Sequence, residues 1–172
     1  MKISNLEELN TPCLILDKTL LEKNCSLARK KCVELKTILR PHVKTPKSIE
    51  VAKIALDNEV GPITVSTLDE AEYFATSGFK DILYAVCIIP KKLARLDFLQ
   101  KKHDCVIRII IDSILVAKAI VDYSNFNSTK FETLIEIDCG EGRSGLYVED
   151  KKIVEISKIF SECNKTNLVG VL

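Results

Sequence analysis

Short runs of apolar, often β-branched residues alternate along the chain with longer stretches of helical spacing. The short runs are apolar on both faces, as expected of strands buried in a parallel sheet. The longer stretches repeat their apolar residues three and four positions apart, which is typical of helices that cover such a sheet. The six strands that this pattern predicts lie at residues 37–43, 63–66, 81–86, 106–111, 133–138 and 168–172.

Capping residues mark where several of the predicted helices begin and end. Thr67 and Glu70 have the spacing of a capping box, and Gly78 suits the position just after the helix that they open. Thr45 is expected to cap the helix predicted at 46–58. Pro46 then takes the first helical position, where its missing N–H costs nothing. The predicted helices lie at residues 18–35, 46–58, 67–78, 91–101, 113–123 and 150–163.

One helix after each strand implies parallel strands joined by right-handed crossovers, and therefore an α/β fold. An open doubly wound sheet and a parallel (β/α)8 TIM-type barrel both fit, and periodicity alone does not choose between them. A barrel needs about 250 residues, whereas this chain has 172. As a barrel, the chain is expected to hold about six of the eight strands and to be truncated before closure. The apolar run 167–172 fits that expectation, because a domain rarely stops inside a core strand.

Composition narrows the class of protein. Apolar residues make up 47% and charged residues 28% of the chain, with a net charge of +1, which indicates a soluble globular protein. Neither a nucleic acid nor a membrane is an expected partner. The seven cysteines lack metal-binding spacing, and most have apolar neighbours. We therefore predict small buried thiols and a reducing, cytoplasmic location.

The candidate chemistry lies in two polar segments that follow predicted strands. The first, Arg-Pro-His-Val-Lys-Thr at 40–45, places Lys44 at the carboxyl end of its strand. That end of a parallel sheet is where α/β folds bind their ligands. A lysine held there among cationic neighbours can act as a nucleophile. A cluster of surface lysines is the alternative interpretation.

The second segment is Glu-Ile-Asp-Cys-Gly-Glu-Gly-Arg-Ser-Gly at 136–145. Its glycines let the backbone turn tightly and approach a ligand. Arg143 can offer a planar set of donors to an oxyanion. The glycines match the dinucleotide-binding spacing formally, but they follow a late strand and the next helix starts well after them. Dinucleotide binding is therefore not expected.

Taken in order, these and three further segments resemble the D-threonine aldolase and D-serine dehydratase group of the alanine racemase N-terminal barrel family. The resemblance extends over essentially the whole chain, and the lysine segment is its most specific part. It implies that residues 1–172 are the N-terminal part of a barrel domain that binds pyridoxal 5′-phosphate (PLP), without the family's C-terminal β-domain. The matching segments lie at 11–17, 40–45, 63–67 with 70–72, 78–83 and 136–145.

The same resemblance implies roles for individual residues. Lys44 matches the catalytic lysine that carries the cofactor, Arg143 the arginine that donates to the cofactor's phenolic oxygen, and His42 a histidine near its ring. Pro46 departs from the family pattern, which usually has histidine there. No metal ligand is implied in this chain, because the divalent metal of full-length members is bound by the β-domain.

The implied function is a PLP-dependent lyase that acts on small D-β-hydroxy amino acids, by retro-aldol cleavage or by β-elimination. Because the later strands and the β-domain are missing, we expect weak or absent activity from this chain alone. A racemase-like enzyme, a non-catalytic PLP-binding protein of cofactor homeostasis and a degenerate fragment are the alternatives. A homodimer is compatible with the resemblance.

Overall fold

The computed structural model describes residues 5–172, which form an open, parallel five-stranded sheet with helices between the strands. The strands lie side by side in chain order, and each neighbouring pair is parallel. The predicted α/β class and a parallel sheet that is not closed into a barrel are confirmed. The strands are β1 (Ile63–Val65), β2 (Asp81–Tyr84), β3 (Val106–Ile111), β4 (Phe131–Ile135) and β5 (Thr166–Val171).

Four of the six helices cross between consecutive strands, as the alternating pattern predicts. Two others precede the sheet, and two short 3-10 helices lie at Leu6–Glu8 and Pro90–Lys92. In the described residues, no helix has both the length and the hydropathy needed to cross a bilayer. The helices are α1 (Lys18–Glu34), α2 (Ile49–Ala55), α3 (Leu68–Thr76), α4 (Leu93–His103), α5 (Ile114–Asn127) and α6 (Lys152–Ser161).

The strand predicted at 37–43 is reduced to one parallel bridge between His42 and Thr64. The Val43 N–H donates to the Thr64 carbonyl, and the Thr64 N–H donates to the Pro41 carbonyl, both at 2.9 Å. Pro41 has no N–H of its own with which to extend the ladder. The segment nevertheless lies beside β1, so the residue after Val43 emerges at the carboxyl end of the sheet.

Helix α2 begins at Ile49, and the prediction that Thr45 caps it was wrong. Ser48 is the cap, and its hydroxyl accepts a hydrogen bond from the Val51 N–H at 3.3 Å. Lys47 has φ 45°, a left-handed conformation that a right-handed helix cannot continue through. Residues 44–47 therefore form a turn, closed by the Lys47 N–H donating to the Val43 carbonyl at 3.0 Å.

The main core lies between the sheet and its helices. Alternate strand residues such as Ile82, Ile107 and Ile109 are fully buried on that side, where they pack with Phe74 of α3. The intervening residues point to the opposite face of the sheet, as the two-residue period of a strand requires.

The opposite face carries a row of charged side chains across neighbouring strands. Arg40 holds the Asp81 carboxylate through two N–H groups, at 2.8 and 2.9 Å. Arg108 pairs with the same carboxylate, and its Nε lies 2.8 Å from Glu132. Charges of alternating sign thus connect the segment before β1 to β4.

The prediction of buried cysteines holds for two of the seven, and all seven are free thiols. Helix α1 buries none of its residues, so Cys25 and Cys32 have no core to enter and are only half-buried. Two more lie beyond the ends of strands, where a cavity opens. The buried cysteines are Cys105 and Cys163; Cys87 is half-buried, and Cys13 and Cys139 are exposed.

Candidate functional site

An open cavity of about 630 Å³ lies at the carboxyl ends of the strands. Its size is within the range of small-molecule sites. Every strand end from β2 to β5 contributes to its wall, together with the bridge residue before β1. The lining includes both segments singled out from the sequence, and its ionisable or thiol side chains are His42, Lys44, Cys87, Asp112, Glu136, Asp138, Cys139, Glu141 and Arg143.

Lys44 reaches this cavity because the bridge to β1 ends one residue earlier, at Val43. Val43 is buried in the core and anchors the segment, whereas Lys44 is exposed at the cavity wall. Lys44 comes from one edge of the sheet, and Arg143 comes from the loop after β4. The structure therefore brings the two ends of the predicted site to one cavity.

His42 contacts the backbone of Lys44 and lines the same cavity. Its Nδ1 accepts a hydrogen bond from the Lys44 N–H at 3.3 Å, so the proton of the neutral ring lies on Nε2, 3.4 Å from the Ser66 hydroxyl. Partial burial, followed by the charge of Lys44, lowers the pKa of His42 below its ordinary value of 6.5. The ring is therefore neutral at physiological pH, with a fixed tautomer.

Glu70 supports this corner of the site from α3. Its carboxylate is almost fully buried, accepts the Ser66 N–H at 2.8 Å and pairs with Lys47 at 3.3 Å. The predicted capping box is therefore shifted: Thr67 accepts the Glu70 N–H, but the Glu70 side chain returns to Ser66 rather than to Thr67.

The segment at 139–145, called the Arg143 loop below, is folded tightly over the end of β4. Asp138 Oδ1 accepts the N–H groups of Gly140 and Gly142, at 2.9 and 3.1 Å. Gly145 has φ +92°, and a Cβ there would lie 2.8 Å from backbone atoms of residues 137 and 138. A residue with a side chain could not pass so close to the strand, so the loop needs glycine at this position.

Arg143 itself is exposed and lines the cavity. Within residues 5–172, its guanidinium makes neither a hydrogen bond nor an ion pair. All of its donors are therefore available to an anionic or oxygen-bearing ligand.

A thiol and two carboxylates meet in the cavity wall. The ligand atoms of Cys87, Asp112 and Glu136 all lie within 4.8 Å of one another, which is close enough to share a divalent metal ion. The Cys87 thiol donates a hydrogen bond to Glu136 at 3.1 Å, and this bond explains why these two of the three side chains lie close together. Burial and the two carboxylates raise the pKa of Cys87 far above the ordinary value of 9.0, so this thiol is protonated.

Sequence reasoning identified the two ends of the site and missed part of its wall. Lys44, His42 and Arg143 were predicted and line one cavity. Cys87 was predicted as a buried thiol, and Asp112 was given no role in the site. Asp112 directly follows β3 and Cys87 lies three residues after β2. That position relative to the sheet is the signal that could have revealed them.

Comparison with known proteins gives one family over most of the chain. Residues 16–172 match the family described as "Alanine racemase, N-terminal domain". The chain is 36% identical over 146 residues to the D-threo-3-hydroxyaspartate dehydratase of Delftia sp. (strain HT23). The matched region covers 85% of this chain and 38% of that protein. The chain is 34% identical over 150 residues to the D-serine dehydratase of Dictyostelium discoideum, covering 82% and 38%.

An aldolase is also among the relatives: the 3-hydroxy-D-aspartate aldolase of Paracoccus denitrificans is 30% identical over 167 residues, covering 95% of this chain and 42% of that protein. The solved structure of the Delftia dehydratase superposes with a TM-score of 0.87 at 34% identity, over 94% of this chain and 42% of that chain. The chain thus spans about two fifths of the length of these relatives.

Proposed function

The chain belongs to the alanine racemase N-terminal domain family, and on that premise we propose that it binds PLP through Lys44 and acts as a lyase on small D-β-hydroxy amino acids. The observation that carries the proposal is that Lys44 and Arg143, far apart in sequence, line one cavity at the carboxyl end of a parallel sheet. The Lys44 amine can bind the aldehyde carbon of PLP, and the Arg143 guanidinium can donate hydrogen bonds to the adjacent phenolic oxygen.

The described residues fit such a cofactor. Lys44 supplies an exposed amine for the aldehyde carbon, and Arg143 supplies unengaged donors for an oxygen on the ring. His42 offers a neutral, flat imidazole beside them. The cavity volume of about 630 Å³ leaves room for both a cofactor and a small substrate.

When bound, PLP withdraws electrons from the α-carbon of an amino acid. The protein's part is to hold the reacting groups and to move protons. With the cofactor bound, Lys44 Nζ would be the group that holds it and the base that accepts a proton from the substrate. Arg143 would orient the cofactor through its phenolic oxygen, and His42, neutral and fixed in one tautomer, would fill the space beside the ring without adding charge.

The names of the relatives favour a particular substrate class. Two are dehydratases and one is an aldolase, and all are named for D-amino acids that carry a β-hydroxyl group. We give β-elimination precedence, because the two dehydratases have the higher identities. In that reaction the β-hydroxyl leaves as water, and hydrolysis then yields a 2-oxo acid and ammonia. Retro-aldol cleavage to glycine and an aldehyde is the second candidate.

The experiment is a titration of the purified chain with PLP, followed by D-serine, D-threonine or D-threo-3-hydroxyaspartate. We expect a visible absorbance band from a lysine-bound cofactor, absent in Lys44→Ala and retained in the matched control Lys47→Ala. A 2-oxo acid and ammonia would identify a dehydratase, and glycine with an aldehyde would identify an aldolase. We expect weak or absent turnover from this chain alone.

Two results would redirect the proposal. Saturable PLP binding at Lys44, with no change of the absorbance band on addition of any of the three amino acids, would favour the non-catalytic cofactor-binding alternative. Interconversion of D- and L-amino acids without elimination or cleavage would favour the racemase alternative. Equal absorbance bands in Lys44→Ala and in the unaltered chain would contradict the proposal at its base.

A further inference from the structure

Glu136 joins two parts of the cavity wall through the two oxygens of one carboxylate. Ser144 Oγ donates to Glu136 Oε1 at 2.8 Å, and Cys87 Sγ donates to Glu136 Oε2 at 3.1 Å. Cys87 lies just beyond β2, whereas Ser144 is the residue next to Arg143 in the Arg143 loop. A half-buried carboxylate with both oxygens engaged is restricted to one orientation.

We infer that Glu136 is a positioning residue that holds the Arg143 loop against the cavity wall. One oxygen of its carboxylate binds the loop, and the Cys87 thiol fixes the other oxygen. The inference rests on the proposed function, because the ligand that Arg143 is held for is the oxygen-bearing ring of PLP. It assigns roles to Glu136, Cys87 and Ser144 beyond the residues that the resemblance implies.

The contacts of the loop explain why such a link is needed. The Asp138 carboxylate holds the N–H groups of Gly140 and Gly142, and close packing holds Gly145. Between these points, Arg143 has no hydrogen bond or ion pair of its own within residues 5–172. The Ser144 hydroxyl is therefore the side-chain contact nearest to Arg143 that fixes this stretch to the strand.

Cys87 suits the role of a donor rather than of a nucleophile. Burial and the neighbouring carboxylates raise its pKa, so the sulfur keeps its proton and can donate it to Glu136. A thiolate at this position would instead repel the carboxylate. Serine, which also donates one hydrogen bond from nearly the same position, should therefore replace Cys87 with little loss.

The test uses the 172-residue chain with Ser144→Ala, Glu136→Ala and the double variant, beside Cys87→Ser as a conservative replacement. Ser161→Ala is the matched control, because within residues 5–172 the Ser161 hydroxyl bonds only to the Lys158 carbonyl, on the exposed side of α6. Two quantities are measured: the Kd for PLP from absorbance titration, and backbone hydrogen exchange in residues 139–145.

We expect Ser144→Ala to weaken PLP binding about five- to tenfold, as for the loss of one typical hydrogen bond of about 1 kcal/mol. Exchange in the loop should become faster, while the free energy of unfolding stays equal to that of Ser161→Ala. The double variant should bind PLP no more weakly than Glu136→Ala alone, because both substitutions break the same link. Cys87→Ser should retain the affinity of the unaltered chain.

The inference is overturned if Ser144→Ala matches Ser161→Ala in both Kd and loop exchange. It is also overturned if the losses of Ser144→Ala and Glu136→Ala simply add. Failure of the proposed function looks different: the unaltered chain would bind no PLP at Lys44. Loop exchange alone would then decide, with faster exchange in Ser144→Ala supporting the positioning role and unchanged exchange refuting it.

Discussion

At the scale of single residues, the site depends on neighbours that fix each functional group. Lys44 is placed by Val43, which is buried and hydrogen-bonded to β1, and its own side chain is left exposed. His42 is placed by the same bridge and is kept neutral by partial burial beside a lysine. The chemistry of each residue therefore follows from the backbone segment that carries it.

The titration of His42 tests this view of the lysine segment. The chain has two histidines, so both imidazoles can be followed by NMR. We expect the His42 pKa to lie below 6.5 and to rise in Lys44→Met, since that substitution removes a nearby positive charge. The rise should be partial, because burial, the larger cause, remains. Lys158→Met, on α6 and away from the cavity lining, should leave the pKa unchanged. A His42 midpoint at or above 6.5 in the unaltered chain would refute this explanation.

At the scale of elements, helices α3 and α2 differ in how far the local sequence determines where they begin. Thr67, Glu70 and Gly78 were predicted as helix signals, and each occupies the expected position at the ends of α3. Those signals act over a few residues, so the sequence contains them in full. Helix α2 shows the opposite case, because the left-handed Lys47 moved its start past the favourable Thr45 and Pro46.

The site divides in the same way. The lysine and arginine segments were recognisable because each follows a predicted strand and has an unusual local composition. The contact between Cys87 and Glu136 spans 49 positions and depends on which strands become neighbours. No local pattern contains that information, so the wall of the cavity could not be predicted even though its two ends could.

A comparison of two helix caps tests the local part of this account. Thr67 accepts the Glu70 N–H at 3.0 Å, whereas Ser113 occupies the cap position of α5 without a side-chain hydrogen bond. We expect Thr67→Ala to lower the free energy of unfolding by about 1 kcal/mol and Ser113→Ala by clearly less. Urea denaturation measures both, and equal losses would show that the Thr67 hydroxyl does not cap the helix.

At the scale of the whole molecule, the two faces of the sheet have different chemistry. One face is an apolar core against the helices, and the other carries the charges of Arg40, Asp81, Arg108 and Glu132 in alternating sign. Because the ion pairs connect neighbouring strands, they couple the segment that carries Lys44 to the middle of the sheet.

The central carboxylate of this row predicts a dependence of stability on pH. Burial alone would raise the pKa of Asp81, but its hydrogen bonds and ion pairs with Arg40 and Arg108 outweigh it and leave the pKa below 3.8. The contribution of the Asp81 carboxylate to the free energy of unfolding is therefore fully present above pH 3.8. It is lost as the pH falls toward the lower pKa of the folded state.

Asp81→Asn tests this contribution. We expect it to lower the free energy of unfolding at neutral pH by about 1 kcal/mol, because two arginines lose their partner in a partly solvated site. The loss should shrink in acid, where the unaltered chain also gives up the charge. Asp69→Asn is the control, since the Asp69 side chain is 82% exposed and should contribute little. A loss that does not change with pH would contradict the assignment.

The central claim is that Lys44 is the residue that binds the cofactor, and covalent trapping tests it most directly. The chain is incubated with PLP, reduced with borohydride, digested and mapped by mass spectrometry. We expect the added mass to lie on Lys44 at limiting PLP, and we expect Lys44→Ala to remove it rather than move it to Lys47. Modification spread evenly over exposed lysines, or concentrated on Lys47 in the unaltered chain, would contradict it.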